Sequence, residues 1–124
     1  MKDTIVIVGI IVIVVIGNML IQNVLHTDSE EIIAKLEGIK EQIENEEDAT
    51  KNAQELNDKW EETNEKWAMI VIHQELDSIK TAILGVKSGI ESGDTEFAYQ
   101  QLQNAIFLVG HIKEKIKINS KNIF

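Results

Sequence analysis

The sequence predicts an all-α protein: an N-terminal transmembrane helix followed by an antiparallel three-helix domain built around a long central helix. Three observations carry this. The chain opens on an almost unbroken apolar run from Thr4 to Leu25. It has no proline in 124 residues, so no residue lacks the backbone donor that a helix interior uses. Beyond His26, apolar residues recur at intervals of four and three, the spacing of one helix face. The expected division is 1–26 for the anchor and 27–124 for an extracytoplasmic helical domain, with helices at about 29–44, 47–92 and 95–118.

Ile5 to Ile16 is apolar throughout, and Gly17 and Asn18 lead into Met19, Leu20 and Ile21 before Gln22 and Asn23. At about 1.5 Å per residue the run spans roughly 30 Å, the thickness of a bilayer's hydrocarbon core. Its many β-branched residues would suit a buried strand in water, but in lipid only a helix satisfies every backbone group within one segment. A cleaved signal peptide would have a shorter apolar core and a small-x-small cleavage site. Gly17-Asn18-Met19 followed by Leu20 and Ile21 does not supply one, so an uncleaved signal anchor is expected. Without cysteine there is no lipoprotein anchor, disulfide or thiolate metal site. Lys2 lies before the run, whereas Asp28, Glu30 and Glu31 follow it ahead of Lys35, which places the N-terminus in the cytoplasm and the cell membrane as the site of a single pass.

In the first helix after the anchor, Asp28 or Ser29 can cap, and Ile32, Leu36, Ile39 and Ile43 form the stripe. Asn45 to Asp48 reads as a turn. The central helix begins with Ala49, Ala53, Leu56, Trp60, Thr63 and Trp67, then resumes in a shifted phase as Met69, Ile72, Leu76, Ile79, Ile83, Val86 and Ile90. Gly93 supplies a left-handed end and Asp94 the next cap, after which Ala98, Leu102, Ala105, Val109, Ile112 and Ile116 line the last helix. The phase shift requires the central helix to face one neighbour in its first half and another in its second. Two antiparallel pairs follow. With neither proline nor glycine to supply a break, a straight or gently kinked helix of about 65 Å is expected, each pair keeping one apolar flank. A bend near Ala68 would instead fold the pairs into a four-helix-like bundle.

The chemistry is sparse. His73 and Asp77 share a helix face at i, i+4, and would hold a metal only if His111 or Glu114 joined them, since such sites need three or four groups. A surface His–Asp pair is the simpler account. The serines Ser78, Ser88, Ser92 and Ser120 stand in no nucleophile motif, and the acidic turn Glu44, Glu46, Glu47, Asp48 lacks the glycine and oxygen spacing of a calcium loop. No enzymatic activity, cofactor or metal is expected. The net charge of −9 argues against nucleic acid as a partner. Trp60 and Trp67, one heptad apart, suit a core, and the remaining possibility is a groove for a partner, as it is for the terminal Ile123 and Phe124.

The N-terminal anchor, Trp60 and Trp67, His73-Gln-Glu75-Leu-Asp77-Ser-Ile79, Gly93-Asp94 and the terminal Asn122-Ile123-Phe124 occur in the order seen in an uncharacterised family. The chain resembles, over nearly its whole length, domain-of-unknown-function family 4363 of mainly Firmicutes. That resemblance implies a single-pass membrane protein without assigned activity, a companion of small multipass membrane proteins, and it brings no catalytic residues. The expected function is a non-catalytic accessory or scaffold protein that presents an acidic helical domain to a membrane protein or to a second copy. The alternative is an extracytoplasmic sensor of a small ligand or cation.

Overall fold

The computed structural model describes residues 1–123, with side chains described as far as Lys115. Four helices follow one another: α1 Lys2–Glu44, α2 Thr50–Trp67, α3 His73–Ser92 and α4 Thr95–Ile123. Cross-helix pairs fix their directions. Asp28 and Glu31 of α1 meet Trp67 and Lys59 of α2, so α2 runs back along α1. Glu44 meets Tyr99 and Glu30 meets Lys113, so α4 is also antiparallel to α1, and the Glu75–Lys115 pair sets α3 antiparallel to α4. Each helix packs on its two sequence neighbours around the ring, with α4 closing against α1. The result is an up-down-up-down bundle.

The long central helix is thus not continuous. It breaks over Ala68–Ile72 and reverses, although no proline or glycine lies there. The Ala68, Ile70 and Val71 amides are satisfied by the Asn64 and Trp67 carbonyls, and Ile72 leaves the helical region (φ −62°, ψ 132°) to start α3. The cause is tertiary. A straight helix would leave both phases of its stripe half in water, whereas reversal buries Leu56, Trp60 and Trp67 of one half and Leu76, Ile79 and Ile83 of the other in a shared core. Burial of several large side chains outweighs the few helical hydrogen bonds lost at the turn.

The second difference lies at the other end of the chain. No separate helix starts near residue 29, because α1 continues for 43 residues, about 64 Å, from the apolar run into the bundle. Asp28 and Ser29 are not caps; both are buried inside α1. Leu25 belongs to the same core as Ile32, Leu36 and Ile39, so the stripe extends about two turns further back, to the end of the apolar run, than the spacing after His26 indicated.

The distal turns follow local rules. Gly93 takes the left-handed conformation (φ 80°) and the Asp94 carboxylate accepts the Phe97 amide at 3.1 Å, as expected. After α1, the Glu46 and Glu47 amides bond to the Ile43 and Gln42 carbonyls, the pattern of a Schellman end, and this places Glu46 at φ 57°. A side chain there costs energy that glycine avoids. Glu46→Gly should therefore stabilise the bundle by about 1 kcal/mol, measured as a higher urea midpoint.

Gly89 lets α3 and α4 approach closely. A Cβ at this position would lie 2.8 Å from the backbone nitrogen of Ala98, an atom that cannot rotate away. Gly89→Ala should force the helices apart and cost about 1–3 kcal/mol. Gly38, whose Cβ would meet nothing within 4 Å, is the matched control. Gly38→Ala should stabilise by about 0.5–1 kcal/mol, because alanine has the better helix propensity.

Candidate functional site at the base of the bundle

The apolar run leaves one end of the bundle, called here the base, and the polar features of the core concentrate near it. Trp60 and Trp67 lie edge to face, with ring centroids 5.8 Å apart and planes at 89°. Both are buried, at 1% and 0% exposure. They are therefore core residues and not available to a partner, which corrects their assignment as partner-binding candidates: a heptad spacing on a helix enclosed by neighbours points both rings inward.

The Trp67 indole N–H donates to Asp28 Oδ2 at 3.2 Å, and Lys66 donates to Asp28 Oδ1 at 3.1 Å. The Asp28 carboxylate thus ties the end of α2 to α1 by two donors, one of them charged. Spacing conceals this residue. A carboxylate just after an apolar run and before a helical stripe reads as an N-cap, and the signal against that reading is Leu25, which continues the stripe on the far side of it.

In sequence, Ser29 Oγ of α1 and Trp60 Nε1 and Thr63 Oγ1 of α2 fall between this contact and the Glu31–Lys59 pair (2.8 Å). All three are buried and find no hydrogen-bond partner among the described residues. Buried polar atoms of this kind are commonly served by an internal water or a small polar guest.

Exposed ion pairs surround the base. The Lys113 ammonium beside Glu30 and the Lys59 ammonium beside Glu31 hold both carboxyls below the ordinary glutamate value of 4.5. Reciprocally, the hydrogen bond to Glu31 raises Lys59 above 10.5. The lowered carboxyls add stability that is complete above pH 4.5 and disappears as pH falls through their folded values, while the lysine adds stability that disappears as pH rises past 10.5. A urea midpoint measured against pH should be flat through neutrality and fall on both sides. Glu31→Gln should shrink both limbs, because it removes one of the two lowered carboxyls and the group that raises Lys59, while the part of the acid limb that belongs to Glu30 and Lys113 remains.

The other sequence candidates are dispersed. Asp77 lines a shallow α3/α4 groove with Gln74, Ser78, Thr81 and Asn104. His111 lies in the α1/α4 groove beside Ile33 and Lys113 and stacks on Phe107 with ring centroids 6.3 Å apart. His73, at the start of α3, is exposed. Among the described residues no three His, Asp or Glu side chains are grouped to hold a metal ion. Ile123 and Phe124 lie outside the described side chains. Spacing did not single out Phe107, which is 69% exposed on α4; its neighbours Ile106 and Leu108 are half-buried, and only the packing shows which of the three faces outward.

α1 is the one helix, among the described residues, long and apolar enough to cross a membrane, and its apolar window is not buried by the rest of the protein. No curated protein and no solved structure matches the chain. The family model described as a domain of unknown function (DUF4363) matches residues 19–123, which takes in the whole four-helix bundle and only the last turn or two of the apolar run. The unit that the family shares is thus the bundle, and the chain belongs to the DUF4363 family.

Proposed function

We propose that this protein is a membrane-anchored, non-catalytic accessory subunit whose bundle is held outside the membrane to engage another membrane protein. One observation carries the reading: the apolar segment passes into the bundle as a single helix, without a linker. A flexible tether would let a domain search for soluble partners, whereas a continuous helix fixes its height over the bilayer. Lys2 ahead of the apolar run and the acidic residues after it support a cytoplasmic N-terminus. The free apolar flanks expected of two open helical pairs are closed within the bundle, so the contact surface shifts to isolated outward groups. Phe107, beside His111 and Ile33 in the α1/α4 groove, is the largest of these.

Purification from native membranes in mild detergent tests this. A second protein should co-purify with the chain and be lost with Phe107→Glu. Recovery of a lone monomer would defeat the proposal.

The unpartnered Ser29, Trp60 and Thr63 atoms favour a second reading, a sensor whose α1/α2 seam admits a small polar solute. Such a solute at a hundredfold excess over its Kd should stabilise the protein by about 2.7 kcal/mol. No thermal shift across a panel of metal ions and metabolites would remove this reading.

A further inference from the structure

The two ends of the bundle differ in character. At the distal end the connections are Asn45-Glu-Glu-Asp48-Ala49 and Gly93-Asp94, nearly all polar or acidic. At the base the connection is Ala68-Met69-Ile70-Val71-Ile72, with no polar side chain at all. Val71 turns inward against the core. Met69 is 91% exposed and Ile72 61% exposed, and Ile70 is exposed beside them. After the apolar run, the other large exposed apolar side chains among the described residues are Leu84, Phe97 and Phe107, scattered over α3 and α4. Three neighbouring apolar side chains on one short turn form a patch that water disfavours.

Position identifies what covers it. The turn begins directly after Trp67, whose indole is bonded to Asp28, so it lies beside the stretch of α1 where the apolar run ends. Asp28 lies about 10 Å along the helix from Ile21, and the turn continues from Trp67 toward the level of Leu25, the first core residue of α1, about 6 Å from Ile21. That is close to the depth of the headgroup zone on one side of a bilayer, about 5–7 Å. When Ile21 lies at the edge of the hydrocarbon, the turn is therefore at headgroup level.

We propose that Ala68–Ile72 is a second membrane contact, a short apolar loop that seats in the lipid interface next to the transmembrane helix. It rests on the membrane-anchored reading of α1 and goes beyond it. A single helix leaves a bundle free to rotate and tilt about its anchor; a second apolar contact to one side fixes which face of the bundle looks along the membrane. It also accounts for an apolar reversal where a soluble bundle would carry a polar one.

The chain has no cysteine, so single thiols report one position each. Full-length Val12→Cys, Met69→Cys and Leu84→Cys variants, labelled with an environment-sensitive nitrobenzoxadiazole, are reconstituted in phosphatidylcholine vesicles with and without brominated acyl chains. The labels at Val12 and Met69 should shift to the blue and lose most of their emission to bromine, while the label at Leu84, exposed on α3, should not. If Val12 is quenched and Met69 behaves like Leu84, the loop proposal is overturned while the anchor stands. If Val12 escapes quenching and the protein does not float with the vesicles, the anchor and the loop fall together. A blue shift at Met69 that vanishes on dilution with lipid and carries no bromine quenching means that a second copy covers the loop, and this also overturns the proposal.

Discussion

Trp67→Ala should destabilise the bundle by about 3–5 kcal/mol, the cost of emptying a fully buried tryptophan site. Small domains have only about 5–15 kcal/mol in total, so most of the margin would be lost. Two effects add. The side chain is enclosed at 0% exposure, so its removal leaves a cavity in the core, and the Asp28 carboxylate loses its indole donor. Phenylalanine substitutions separate the two. Trp67→Phe removes the hydrogen bond and part of the volume, whereas Trp60→Phe removes an N–H that has no partner among the described residues. Trp60→Phe should therefore be the milder by about 1 kcal/mol or more. Urea unfolding of the full chain in mild detergent, followed by the helical circular dichroism signal, measures all three. Equal costs for the two phenylalanine variants would show that the Asp28 bond contributes nothing.

The second large effect is expected from the other partner. Asp28→Ala should cost about 3 kcal/mol, because it strands a buried indole donor and frees Lys66 of its counter-charge. Lys66 is nearly half exposed and is re-solvated easily, so most of the loss belongs to the tryptophan contact. Asp28→Asn keeps one acceptor for the indole and should retain much of the stability. A double-mutant cycle with Trp67→Phe isolates the pair, and the coupling should exceed about 0.5 kcal/mol. An N-cap at position 28 would show no coupling to Trp67, so the cycle separates the role the structure shows from the role the spacing indicates.

Both residues mark where the sequence was readable and where it was not. Trp60 and Trp67 were legible as one face of one helix, since a spacing of seven returns nearly to the same azimuth. Their size favoured a core over a partner groove, but which helices enclose the face was not legible, because no local pattern connects it to its neighbours. Asp28 shows the reverse problem: its local context fits a cap, and only the partner 39 positions away shows that it lies within a helix. The metal candidates follow the same logic. His73 and Asp77 are close in sequence, yet the third ligand had to come from α4, and α4 places His111 in its groove with α1 while Asp77 lines the groove with α3.

Determined by the sequence alone were the apolar run with the length to cross a membrane, the all-helical class, the phase shift after Trp67, and the Gly93-Asp94 end. Each rests on backbone chemistry or on spacing within a few turns, which a chain carries wherever it goes. Tertiary structure decided the rest: that the phase shift becomes a reversal rather than a straight helix, that the apolar run and the first bundle helix are one rod, and that Ala68–Ile72 comes to lie at the end of the bundle from which the apolar run emerges. The physical reason is common to all three. Local propensity along Ala68–Ile72 or across residues 26–29 differs little between continuing and stopping a helix. The choice falls to the apolar area that each arrangement removes from water, and that quantity exists only once all four helices are together.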